Sequence, residues 1–262
     1  MRSAVFVLML CSMIVPLCFA EMDWAHLVLI ESAVDQSQGT DLLKAGLCSV
    51  QYDSKRTVGD FLREFPERDA AIADHVARYK LDQYYLTDGT VEYGFHLPLT
   101  QSIMSLLIPP KTPLELELIV PMLCPVCDQA WPSGKQPPSG IQLKPKALER
   151  TNYTGIIIDC RDINITPCLF PVVCNEKMQE IYSINFADTT SVIERGLVIY
   201  AESEASAAPR TGDNPLKIKA VASSGDLRTD IRIPAAAAQR IHGSQNNLTL
   251  LRECRVAVLF GQ

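Results

Sequence analysis

The sequence predicts an α+β protein of two small domains: helix, strand, helix and hairpin first, then a mostly β region with one helix. Three observations carry this prediction. Apolar residues recur at helical spacing in two early segments but alternate strictly over Val91–Leu97. An Asp88-Gly89 pair sits between two strand-like runs. A stretch rich in Pro and Gly, 109–148, divides the chain and leaves 21–108 and 149–262 as the folded parts.

In the first part, Leu27, Ile30 and Val34, with Leu29 and Ala33 beside them, have helical spacing within Trp24–Leu43, and Gly46 is a plausible stop. Leu47–Tyr52 then reads as a short strand. Arg68–Tyr79 places Ile72, Val76 and Tyr79 on one face of a second helix. Leu81–Thr87 and Thr90–Leu97 form a hairpin around a two-residue turn at Asp88-Gly89. Counting from that turn sets Leu86 opposite Val91 and Tyr84 opposite Tyr93. Beyond Ile108, prolines precede an apolar patch, Leu114–Leu123, and the run Cys124-Pro125-Val126-Cys127.

In the second part, Thr154–Asp159 is a strand apolar enough to be buried on both faces. Leu169–Cys174 and Gln179–Tyr182 read as strands around a polar turn at Asn175-Glu176-Lys177. Gly196–Ala201, Leu216–Ala222, Leu227–Ile233 and Cys254–Phe260 are further strands. Pro234 opens the one predicted helix, which runs to about Ser244.

Compartment is read from the start of the chain. Met1-Arg2-Ser3 carries one positive charge, Ala4–Leu17 is apolar, and Cys18-Phe19-Ala20 ends in a small residue before polar Glu21. The apolar run falls short of the roughly 20 residues a spanning helix needs, so 1–20 reads as a secretory signal. Neither Cys11 nor Cys18 follows a small residue, as a lipid attachment site requires. No later stretch is apolar enough to span a membrane. Hydrophobic residues at 47% and charged residues at 21% describe an ordinary globular chain. A net charge of -6 with no basic stripe argues against a nucleic-acid partner.

Of nine cysteines, Cys11 and Cys18 belong to the signal, leaving Cys48, Cys124, Cys127, Cys160, Cys168, Cys174 and Cys254. In an oxidising compartment thiols tend to pair, and an odd number leaves one over. Cys124 and Cys127 are the disulfide candidates, with each other or with Cys160, Cys168 or Cys174. Redox catalysis would need a helix N-terminus behind the first thiol, and Asp128-Gln129-Ala130-Trp131-Pro132 offers none. Haem attachment would need His at 128, which is Asp. Structural zinc favours two closely spaced pairs, and a second pair is missing. Cys160 and Cys254 lie in apolar runs, as buried thiols or as partners of one another.

No other constellation carries chemistry. His26, His75, His96 and His242 are scattered. Nucleophile-elbow, phosphate-cradling and dinucleotide patterns are absent. Asp159 and Asp162 sit where a strand meets a turn, and turn chemistry accounts for Gly212-Asp213-Asn214-Pro215. Asn152, Asn164 and Asn247 match the glycan acceptor pattern, which matters only in a eukaryotic secretory route. No residue is expected to be catalytic, cofactor-binding or metal-binding.

Tyr84-Tyr85-Leu86-Thr87-Asp88-Gly89-Thr90-Val91-Glu92, closed by Leu97-Pro98-Leu99, resembles a domain of small bacterial envelope lipoproteins that includes the flagellar assembly lipoprotein FlgP. Tyr153–Asp159, Gly212–Ala220 and Glu253-Cys254-Arg255-Val256 resemble a tail found on uncharacterised envelope proteins. The resemblance implies a role in the envelope, in its narrowest form flagellar assembly, without enzymatic activity, cofactor or metal. The expected protein is therefore periplasmic or secreted, with outer-membrane association within the family's range. It would bind envelope proteins and further copies of itself. The alternative is a periplasmic thiol protein, redox or metal-binding, centred on Cys124 and Cys127.

Overall fold

The computed structural model describes residues 21–111, 114, 122–132, 135–146 and 152–261. The signal expected at 1–20 and most of the apolar patch at Leu114–Leu123 lie outside the described residues. The protein is of the α+β class.

Strands β1 (Glu21–Asp23) and β2 (Val28–Ala33) pair antiparallel where helical spacing predicts a helix. Leu27, Leu29 and Glu31 are the buried positions, so the true period is two. The third inward position holds a carboxylate, which interrupts the apolar row and leaves a false helical pattern in Leu27, Ile30 and Val34. Helix α1 (Gly39–Ser49) follows and absorbs the start of the strand predicted at Leu47–Tyr52, with Leu43 and Leu47 buried one turn apart. What remains of that strand is a single bridge between Gln51 and Thr57. Helix α2 (Val58–Glu64) is an addition to the predicted set. Thr57 starts it by accepting from the Asp60 amide, while Asp60 accepts in return from the Thr57 amide. Helix α3 (Pro66–Val76) buries Ile72 and Val76, as the spacing predicts.

The hairpin consists of β3 (Lys80–Tyr85) and β4 (Val91–Pro98), but its register differs by one from the two-residue prediction. Gly89, at φ +87, donates to the Leu86 carbonyl at 3.0 Å, and Leu86 donates to the Thr90 carbonyl at 2.9 Å. That is a three-residue loop closed by a left-handed glycine. The Asp88 side chain accepts from the amide and hydroxyl of Thr90, holding the wider turn. Tyr85 therefore faces Val91, Gln83 faces Tyr93, and Tyr84 moves to the other face beside Gly94. The sheet order is β1-β2-β4-β3, with β3 at an edge. Helix α4 (Ser102–Leu107) follows.

Between the two halves lies a small antiparallel pair, β5 (Met122–Leu123) and β6 (Lys144–Pro145). The second half then adds β7 (Gly155–Asp159), β8 (Val173–Asn175), β9 (Glu180–Tyr182), α5 (Thr189–Arg195), β10 (Ile199–Ala201) and α6 (Glu204–Thr211). It continues with β11 (Pro215–Lys219), β12 (Ala222–Ser224), β13 (Asp230–Ile233), α7 (Ala235–His242), α8 (Gln245–Arg252) and β14 (Val256–Leu259). Four strands form an all-parallel sheet in the order β10-β14-β7-β11. The others form a mixed sheet, β12-β13-β8-β9. The strand predicted over Leu216–Ala222 breaks at Ala220-Val221 and passes from the first sheet to the second.

The expectation of one helix in this half is corrected: α5, α6, α7 and α8 all belong to it. Each is seven or eight residues long, too short for a clear periodic signal or for stability in isolation. Packing against the sheet holds them instead; α6 lies on β7, β10 and β14, and α8 lies on β7. Consecutive residues of β7 and β14 are buried, as expected for a parallel sheet covered on both faces.

One continuous apolar core runs from Leu27 to Leu259. Trp24 meets Tyr200 edge-on at 5.4 Å, and Tyr52 meets Phe170 at 4.9 Å. The backbone of Leu169 and Phe170 donates to Gln51 and Tyr52, and Gln101 donates to Ile193. The residues on either side of the 109–148 stretch thus share buried surface and main-chain hydrogen bonds.

Candidate functional site

Cys124 and Cys127 lie on a narrow hairpin that stands apart from the core. Trp131 donates to the Met122 carbonyl at 2.7 Å, Leu123 bridges Ala130, and Cys124 donates to the Gln129 carbonyl at 2.9 Å. The turn closes with Asp128 donating to the Cys124 carbonyl at 2.9 Å, and Asp128 itself adopts φ +54. Pro125 fixes the backbone directly after the first cysteine. In this turn the amides of Cys127 and Val126, and the Cys127 thiol, donate toward the Cys124 sulfur and lower its pKa. That stabilises a thiolate without the helix N-terminus that a redox site normally uses. Cys127 is exposed, Cys124 is half-buried, and Val126 between them is 85% exposed.

The remaining cysteines occupy different surroundings. Cys160, Cys168, Cys174 and Cys254 are buried and Cys48 is half-buried; all five are free thiols, as are Cys124 and Cys127. Burial pushes Cys160 and Cys168 up to about 12 and Cys254 to about 11. These thiols stay protonated and inert, as packed core residues. The structure therefore separates Cys124 and Cys127 from Cys160, Cys168 and Cys174 rather than gathering them.

Other residues singled out by sequence have local structural partners. His26 pairs with Asp23 at 2.8 Å, and His96 lies 3.2 Å from Asp82. His242 is buried with Nε2 donating to the Ile181 carbonyl at 2.9 Å. His75 ends α3. Asp159 is held by Arg161 at 2.7 Å and Asp162 by Lys219 at 2.6 Å, so each carboxylate has its own cation. Gly212 ends α6 at φ +72, with the Thr154 hydroxyl bonded to the Thr211 carbonyl and the Asn214 amide. Asn247 is 2% exposed and donates to the Arg240 carbonyl, which excludes it as a glycan acceptor in the folded chain. Among the described residues, no three His, Cys, Asp or Glu side chains cluster as metal ligands. Nor is any helix among them long and apolar enough to cross a membrane.

A cleft of about 350 Å³ is lined by His26, Arg195, Arg210 and Arg255 among others. Its deepest cation is structural. Arg210 donates to the carbonyls of Arg195, Gly196 and Cys254, at the ends of α5 and α8, where unpaired helix carbonyls favour a cation. Burial lowers its pKa to about 10, still leaving it charged. No motif marks Arg210; only its place two residues before Gly212 hints at a helix end.

The β3 edge is the other surface feature. Tyr84, Tyr85 and Leu86 are 49%, 79% and 43% exposed, and Val34, just beyond β2, is 72% exposed. The predicted register paired Tyr84 with Tyr93 and Leu86 with Val91, which hid this surface. Thr87 belongs to the loop, and that was the missing signal.

The fold and these surfaces define an α+β protein whose second half holds one parallel and one mixed sheet, with two outward-facing features, a thiol hairpin and a bare strand edge. Residues 155–262 match the family described as Treponema pallidum Tp0624, second domain. The second half is thus similar to that domain. No curated protein matches the chain.

Proposed function

We propose that the protein is a non-enzymatic, exported component or assembly factor of a bacterial envelope structure, acting by binding other envelope proteins. The observation that carries this reading is the β3 edge. Lys80–Tyr85 pairs on one side only among the described residues, and its aromatic side chains project into solvent. An unpaired edge offers main-chain donors and acceptors to an incoming strand, while neighbouring side chains supply selectivity. The hairpin's resemblance to envelope lipoproteins supports the compartment, and a flagellar association is the narrowest form of the proposal.

The test is site-specific photocrosslinking in cells that export the full chain. A crosslinker at Tyr85 is expected to give a discrete adduct with one envelope protein. The same crosslinker at Val221, also exposed at 48%, is expected to give none. Equal labelling at both positions, or recovery of the chain from the cytosol with Met1 attached, overturns the proposal.

A further inference from the structure

The thiol hairpin carries an inference that stands independently of the envelope proposal. Cys124 and Cys127, separated by two residues, sit at the end of a turn pinned by main-chain hydrogen bonds. Such a turn presents a sulfur pair to a thiophilic cation, because it holds both cysteines outside the core, with Cys127 exposed and Cys124 half-buried. Structural zinc takes four ligands in tetrahedral array, and this turn provides two. Among the described residues no third ligand joins them. The remaining cysteines are locked in the core or half-buried on α1.

We propose that Cys124 and Cys127 from two copies of this chain bind one zinc ion between them. A two-fold arrangement supplies four sulfurs from two identical pairs, which closes the coordination shell. Val126, an apolar side chain held outward between the two cysteines, then lies within the contact instead of in water. No redox step is involved. Four thiols bind one Zn²⁺ and release four protons, leaving a tetrathiolate of charge -2. The narrow contact makes association depend on the metal.

The experiment uses the full exported chain, reduced and stripped of metal, then titrated with zinc alone. Bound metal is measured by elemental analysis and mass by sedimentation. The expected end point is one zinc per two chains, formation of a dimer, and return to monomer on chelation. Cobalt in place of zinc is expected to give the sulfur-to-metal absorption of a tetrathiolate site. Cys124→Ser and Cys127→Ser each remove two of the four ligands, so stoichiometric zinc binding and the zinc-dependent dimer are lost, while the thermal melt of the metal-free chain is unchanged because neither side chain is in the core. One zinc per monomer overturns the shared site. So does an absence of binding, a dimer indifferent to chelator, or a chain whose native form holds Cys124 and Cys127 as a disulfide.

Discussion

The antiparallel sheet β1-β2-β4-β3 and the parallel sheet β10-β14-β7-β11 solve the burial problem in opposite ways. The first is buried at Leu29, Phe95 and Leu97, but its last strand is nearly bare. The second hides both faces of its central strands, where residues 156–158 and 256–259 are all buried. One sheet is therefore a support with a free margin, and the other is the centre of the core. Substitutions of equal size should have unequal costs in the two, and that inequality is measurable.

The largest effect is expected in β7. Ile158 is 2% exposed, and Ile158→Ala removes buried methyl groups between covered faces, costing about 4 kcal/mol. Leu81→Ala in β3, where the side chain is only partly buried, should cost about 1 kcal/mol. Denaturant midpoints of the two variants measure the difference. Equal shifts would mean that β3 is covered in solution by something else.

A pair of glycines sharpens the same contrast. A Cβ on Gly155 would stand 2.4 Å from Thr211 Cα and 2.5 Å from its carbonyl oxygen, so strand and helix would have to separate. Gly155→Ala is expected to cost about 3 kcal/mol, the upper end of overpacking penalties. A Cβ on Gly94 meets the exposed Tyr84 ring at 2.9 Å, and that ring can swing into water. Gly94→Ala should therefore stay within about 1 kcal/mol, as read by thermal melts. Arg210→Met comes next. It leaves the carbonyls of Arg195, Gly196 and Cys254 without their donor, a loss of about 2 kcal/mol once the relief of a buried charge is counted. Hydrogen exchange should rise first at the C-terminal turns of α5 and α8.

The contrast also explains what the sequence disclosed. Ile156-Ile157-Ile158 and Val256-Ala257-Val258 announce themselves, because a strand covered on both faces needs apolar residues in succession. The short helices beside them were hidden for the complementary reason. In α6 the buried face is Ala207 and Thr211, which no hydrophobic pattern distinguishes from surface. The Asp88-Gly89 turn was legible as a hairpin but not in its register, since one extra loop residue leaves the dipeptide unchanged. Of the thiol site, the spacing of Cys124 and Cys127 was legible. The amides aimed at Cys124 and the outward Val126 were not, because they depend on the hairpin built around them.

The smallest expected effect tests why β2 looked helical. Glu31 is 5% exposed on the inward face of β2, and burial raises its pKa above the ordinary 4.5. The folded state therefore holds this proton more tightly than the unfolded chain. The group favours folding below pH 4.5, and that contribution is lost as pH rises from 4.5 through the raised value, after which the penalty is constant. Glu31→Gln removes the ionisation while keeping the shape. The variant should match the parent near pH 4 and exceed it at pH 7, by about 1 kcal/mol. Melting temperatures of both proteins from pH 4 to 8 measure this gap. A gap that stays flat across the range would mean that the carboxylate remains solvated, and that the interrupted apolar row in β2 has another cause.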